Sequence, residues 1–159
     1  MNRALFLDRD GVINREINYL YRIEDFVFID GIFEICDFYQ KRGFVLIVVT
    51  NQAGIAKGYY SEDDYTKLTD WMTAEFSAKG ITIGKVYHCP HHPDISGECL
   101  CRKPNPGMIF EAQKEFNIDL LDSILIGDKQ SDCETATRAG IGHYYHIDDI
   151  LKTLDDLPV

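Results

Sequence analysis

Residues 4–14 read Ala4-Leu5-Phe6-Leu7-Asp8-Arg9-Asp10-Gly11-Val12-Ile13-Asn14, and the change of character at Asp8 decides how the chain folds. Four apolar residues in a row predict a short buried strand. Two acids one residue apart follow, and Gly11 behind them lets the backbone turn sharply. At a strand end in an open α/β sheet, Asp8 and Asp10 can converge where such sheets bind ligands. Close carboxylates repel and are hard to keep ionised without a cation between them. The pair therefore asks for a hard metal such as Mg2+. A carboxylate can also be a nucleophile, as in enzymes that pass through an aspartyl-phosphate. The same letters alone also describe a strand and an acidic turn, so the decision rests on partners further along.

Outward from that stretch, apolar runs alternate with helical patterns. Residues 15–29 show no sustained period and read as a loop or short hairpin flap near the active face. Asp30 is placed to cap a helix over 31–42 whose Ile32, Phe33, Ile35, Cys36 and Tyr39 share one face, with Gly43 ending it. A second strand over 44–49 runs into Thr50-Asn51-Gln52-Ala53-Gly54. Ser61 opens the longest helix, with Tyr65, Leu68, Met72 and Phe76 as its apolar stripe and Gly80 at its end. A third strand over 85–88, a loop over 89–106 and a helix over 106–116 follow. The fourth strand, 123–126, ends at Gly127-Asp128. A helix from Ser131 or Asp132 stops near Gly140, and a fifth strand over 142–147 precedes a short helix capped by Asp148. This order predicts an α/β fold, a doubly wound Rossmann-like parallel sheet with helices on both faces and active residues at strand ends. One domain over 1–159 is expected.

The chain has 159 residues, 45% apolar and 26% charged, the composition of an ordinary globular domain with a real core. A net charge of −10 argues against a nucleic-acid surface and means that an anionic substrate must be caught by local positive groups. No basic start leads into a long apolar segment, and no apolar run approaches a membrane span, so neither a secretion signal nor a membrane partner is expected. Of five cysteines, Cys89, Cys99 and Cys101 crowd together while Cys36 and Cys133 lie apart. That distribution suits a metal site in a reducing compartment, the cytoplasm, better than a disulfide framework.

Polar groups gather at the other strand ends. Thr50 and Asn51 precede small residues whose N–H groups could form an anion nest. Arg102 and Lys103 stand before Pro104 in a chain short of positive charge, and Asp128, Lys129 and Asp132 follow the fourth strand. Each group alone reads as a turn, a solvated pair or a helix cap; together they read as a site. Cys89, His91, Cys99 and Cys101 can fill a closed, structural tetrahedral zinc shell, with His92 competing with His91. Zinc there would pin a polar loop and set Arg102-Lys103 beside its last ligand.

Asp8-x-Asp10-Gly11, Thr50, Lys103 and Gly127-Asp128-x-x-x-Asp132 resemble, in order, the four motifs of the haloacid dehalogenase superfamily. The resemblance implies that Asp8 attacks a phosphoryl group and Asp10 serves as general acid and then base. It implies that Thr50 and Lys103 hold the phosphoryl, and that Mg2+ is bound by Asp8, the Asp10 carbonyl and Asp128. Asp132 would orient Lys103 or a metal-bound water. With Cys89-x-His91, Cys99-x-Cys101-Arg102-Lys103-Pro104 and Thr50-Asn51-Gln52, the chain is similar to the small capless phosphatases acting on heptose bisphosphate or histidinol phosphate. Residues 54–58 and 104–108 and Gly127-Asp128-Lys129 lean to the heptose branch, which implies removal of the 7-phosphate on the way to ADP- or GDP-heptose. By that resemblance Glu16 to Tyr19, Thr50, Asn51, Gln52, Ala53, Arg102, Lys103 and Lys129 line the substrate site, no large cap domain is present, and the protein is a monomer acting on a small phosphorylated sugar. The seven residues between His91 and Cys99 are nearer the histidinol-phosphate type, which keeps that substrate as the alternative. Outside enzymes, a phospho-accepting signalling domain and a zinc-dependent binding module are the competing classes; Asp10 argues against the first and the full set of acids against the second.

Overall fold

The computed structural model describes residues 1–159. Five strands form one parallel sheet: β1 (Ala4–Leu7), β2 (Val45–Asn51), β3 (Ile83–Cys89), β4 (Ile124–Gly127) and β5 (His143–His146), in the order β3-β2-β1-β4-β5. The helices are α1 (Ile32–Lys41), α2 (Glu62–Ala78), α3 (Pro93–Ser96), α4 (Gly107–Phe116), α5 (Gln130–Ala139) and α6 (Ile147–Leu151). β1 is the central strand, and Leu5 faces Leu46 on one side and Ile124 on the other. Because side chains alternate across a strand, the sheet divides the core in two. Leu5, Leu7, Leu46 and Val48 pack with Ile35 of α1 and Met72 of α2; Phe6, Ile47 and Val49 pack with Ile109 of α4 and Ala136 of α5. Burial on both faces is why the strands read as unbroken apolar runs. The chain leaves β1 toward β2 and β3, then returns to β4 and β5 on the other side. That reversal opens a crevice beyond the β1 C-terminus.

The helix starts show where local reading went astray. Asp30 does not cap α1: Gly31 holds the cap position with φ 96°, and the Ile29 carbonyl accepts the Ile32 N–H. Ser61 and Asp64 do form a reciprocal capping box on α2. α5 begins at Gln130, earlier than expected. At α6 the His146 Nδ1, not Asp148, receives the first N–H. The loop after β3 holds the short turn α3, which starts at His92 with proline in first place. Residues 15–29 are a flap pinned by one antiparallel bridge, Asn14 to Phe28, and by the buried Leu20 and Phe26. No helix is long and apolar enough to cross a membrane.

Candidate active site

Asp8 is the first residue past β1 and only 5% exposed. Its Oδ1 lies 3.0 Å from Lys103 Nζ and accepts the Arg9 N–H at 2.8 Å. The Lys103 ammonium, itself buried, is also 2.7 Å from Asp132 Oδ1. Two carboxylates thus share one cation, on unequal terms. Asp132 additionally accepts the backbone N–H groups of Asp128 and Lys129 on its other oxygen. Burial raises the Asp132 carboxyl, but the Lys103 charge and hydrogen bond, with those two amides, outweigh it and hold it low. For Asp8 burial is the larger influence; Asp132 and Asp10 add to it against Lys103, and the carboxyl is pushed up to about 7. Burial would lower the Lys103 ammonium, yet the two carboxylates keep it above the usual lysine value.

Asp128 follows β4 and faces Asp8. Burial raises its carboxyl against the pull of Lys129, and its Oδ1 is buried without a hydrogen-bond partner. Asp8, Asp128 and Asp132 each offer an oxygen within 4.8 Å of the others. Asp132 is already engaged by Lys103 and two amides, so Asp8 and Asp128 are the oxygens left for a divalent cation. An orphaned buried oxygen beside a carboxyl that resists ionisation fits such an ion. Gly11 makes the approach possible: at φ 89°, a Cβ there would sit 2.0 Å from Asp128 Oδ2.

The Asp10 carboxylate faces a cavity of about 400 Å3. Among the expected substrate residues, Glu16 and Tyr19 reach this cavity from the flap, and Asn51, Gln52 and Ala53 from the end of β2. Arg102 and Lys103 reach it from the cysteine loop and Lys129 from beyond β4, where Lys129 Nζ pairs with Glu16 Oε1 at 3.0 Å. Asn51 clamps Lys103 through both backbone groups, accepting its N–H at 3.0 Å and donating to its carbonyl at 3.2 Å. Thr50 is the exception. It is 1% exposed, and its hydroxyl stands behind Gln52, accepting that amide at 2.9 Å.

Cys89, His91, Cys99 and Cys101 bring three sulfurs and His91 Nδ1 within 4.8 Å of one another, with Cys89–Cys99 at 3.5 Å, Cys99–Cys101 at 3.6 Å and Cys89–Cys101 closer, at 2.7 Å. Thiolates on one tetrahedral zinc at about 2.3 Å stand roughly 3.7 Å apart. All five cysteines are free of disulfides, so the donor set fits that metal. His92 is not among these donors: its Nδ1 accepts the Asp94 N–H, and its ring lines the cavity. Cavity residues that sequence reasoning missed include Lys57, whose ammonium bonds the Tyr19 hydroxyl, and Tyr60, which donates to Gln52 Oε1. Lys57 lies within residues 54–58, whose likeness to the heptose branch assigns it no role, and nothing local marks Tyr60, which follows that turn and is buried.

Over residues 100–144 the chain matches the HAD-hydrolase-like family model. It is 54% identical over 146 residues to D-glycero-alpha-D-manno-heptose-1,7-bisphosphate 7-phosphatase of Burkholderia mallei, spanning 89% of this chain and 77% of that one. Identity to D-glycero-beta-D-manno-heptose-1,7-bisphosphate 7-phosphatase of Photorhabdus laumondii is 46% over 144 residues, spanning 87% and 77%. The fold superimposes with a TM-score of 0.83 and 26% identity on D,D-heptose 1.7-bisphosphate phosphatase from B. bronchiseptica complexed with magnesium and phosphate, covering 98% of this chain and 88% of that one.

Proposed function

This chain belongs to the heptose bisphosphate phosphatase family of the haloacid dehalogenase superfamily, and from that premise we propose that it removes the 7-phosphate of D-glycero-D-manno-heptose 1,7-bisphosphate through an aspartyl-phosphate on Asp8. The observation that carries the reading is the Asp8 carboxyl at the end of β1, buried, 3.0 Å from an ammonium and beside an unpartnered Asp128 oxygen. Phosphoryl transfer needs positioning and charge neutralisation more than any other chemistry. Asp8 supplies an oxygen to phosphorus, the bond from phosphorus to the sugar oxygen breaks, and Asp10 gives that oxygen a proton. Water then attacks the same phosphorus, Asp10 takes its proton, and the Asp8 carboxylate departs with phosphate released. Lys103, steadied by Asp132 and Asn51, holds the phosphoryl oxygens, while the Thr50 hydroxyl, engaged by the Gln52 amide, braces the cavity wall from behind.

Asp8, Asp128 and the Asp10 carbonyl would hold Mg2+. When bound, the ion neutralises charge shared by nucleophile and phosphoryl and lets both carboxyls ionise at neutral pH. Cys89, His91, Cys99 and Cys101 would hold one zinc with no open position, a structural role. Its consequence is a fixed backbone under Arg102, whose guanidinium donates to the His91 carbonyl and lines the cavity. Arg102 grips the phosphate that does not react.

The higher identity to the alpha-named relative supports the α-anomer as substrate. Parallel kinetics on the α- and β-bisphosphates and on histidinol phosphate test the whole reading. The expected order of kcat/KM is α above β, with histidinol phosphate far below. Turnover of histidinol phosphate at or above that of the heptoses would overturn the substrate, and no phosphate release from any of the three would overturn the enzyme.

A further inference from the structure

Arg9, between the two acids of the first motif, is 1% exposed and among the largest fully buried side chains of the protein. Its only ion pair is with Asp10. Nε donates to Asp10 Oδ1 at 3.2 Å, and Nη2 donates to Oδ1 at 2.9 Å and Oδ2 at 3.2 Å. The same Nη2 reaches the carbonyl of Leu20, in the flap that lines the cavity, at 3.1 Å. Asn14 Nδ2 donates to Asp10 Oδ1 and Gln52 Nε2 to Oδ2, each at 3.1 Å. A carboxylate on a short side chain otherwise swings over a broad range of its second torsion. A planar fork on both oxygens sets its angle as well as its place.

We infer that Arg9 is a positioning residue for Asp10: its guanidinium fixes where the acid/base carboxylate sits and ties that position to the flap over the substrate. The inference rests on the reading of Asp10 as general acid and base. In that reading Asp10 serves two atoms in turn, the departing sugar oxygen and the attacking water, and both must lie within hydrogen-bond reach of one fixed group. A buried ion pair is weak evidence for stability, because desolvating two charges offsets most of their attraction. Pairing that reaches into the cavity wall is better explained by what it aims. Misplacing a reacting group by about 1 Å can cost on the order of a hundredfold in rate.

The two half-reactions separate this role from a merely structural one. An aryl phosphate such as 4-nitrophenyl phosphate releases a stable phenolate, so forming the aspartyl-phosphate needs no proton from Asp10. Its hydrolysis still needs Asp10 to activate water. In Mg2+-loaded Arg9→Met, kcat on the heptose bisphosphate should fall at least about tenfold. With the aryl phosphate, nitrophenolate should appear in a rapid burst approaching one per active site, and acid quench should trap more phosphoenzyme than in wild type. Arg9→Lys keeps a charge but no fork, and should show a burst with intermediate turnover. If Arg9→Met fails to fold by circular dichroism, Arg9→Lys carries the same measurement. A folded variant with a wild-type burst and wild-type phosphoenzyme level overturns the inference, whatever its loss of rate. Asp10→Asn separates the two layers. Wild-type turnover of the bisphosphate by Asp10→Asn would overturn the acid/base reading and the inference with it. A disabled Asp10→Asn beside unchanged partitioning in both Arg9 variants would overturn the inference alone.

Discussion

Replacing Asp8 with asparagine should abolish turnover and at the same time stabilise the Mg2+-free fold, by an amount that grows with pH. The Asp8 carboxyl is buried, and burial, with Asp132 and Asp10 nearby, lifts it from 3.8 to about 7 despite Lys103. Its folded value lies above its unfolded one, so the native state holds the proton more tightly. Below about pH 4 both states are protonated and the group costs nothing. From about pH 4 to about pH 7 only the unfolded chain ionises, and native stability drains away. Above about pH 7 the full deficit remains. A gap of about three pKa units corresponds to about 4 kcal/mol. An amide, like the protonated acid, is neutral and avoids that deficit. Urea denaturation in Mg2+-free buffer, with zinc retained, should therefore find Asp8→Asn more stable than wild type by about 1–2 kcal/mol at pH 5 and about 4 kcal/mol at pH 8. Added Mg2+ should close the gap by stabilising wild type alone. A gap that does not change with pH, or a variant less stable than wild type at pH 8, would refute the reasoning.

The cysteine loop should carry one zinc per chain by elemental analysis, and Cys99→Ser should lose it together with several degrees of Tm; zinc-free wild-type protein purified under reducing conditions would count against the site. Arg102→Ala should lower kcat/KM for the bisphosphate roughly tenfold or more relative to a small monophosphate, the worth of one charge-assisted contact. Lys103→Ala should depress both substrates alike, and equal losses in the Arg102 variant would move that residue into the catalytic group. Gly11→Ala forces a Cβ to within 2.0 Å of Asp128 Oδ2 at φ 89°. It should cost on the order of 1–3 kcal/mol in backbone strain and raise the Mg2+ concentration needed for half-maximal rate; unchanged Mg2+ dependence would show that Asp128 can give way.

Much of this protein is written in short-range patterns. Parallel strands buried on both faces must be continuously apolar, so Ala4–Leu7 and the core of Val45–Asn51 announce themselves. The Ser61–Asp64 capping box is equally local. The acids after β1 and β4 follow from strand ends, which bring residues together whatever the detail between them. The basic pair lies in the loop well past β3 and is brought to those acids by the clamp of Asn51 on Lys103. Local acids misled where a competing group was better placed, as Gly31 was before α1 and His146 before α6. What only the tertiary structure decided is the division of charge. Asp8 and Asp132 come to one ammonium; its charge and hydrogen bond, joined by two backbone amides, hold the Asp132 carboxyl low, while burial leaves Asp8 reluctant to ionise. Likewise nothing in the local sequence gives Arg9 a role; the flap buries it, and the Leu20 carbonyl accepts from its Nη2. Sequence spacing determines which elements form and which ends meet. Which hydrogen bonds each charge receives, and how far from water, depends on segments distant in the chain, and that allotment fixes the site's chemistry.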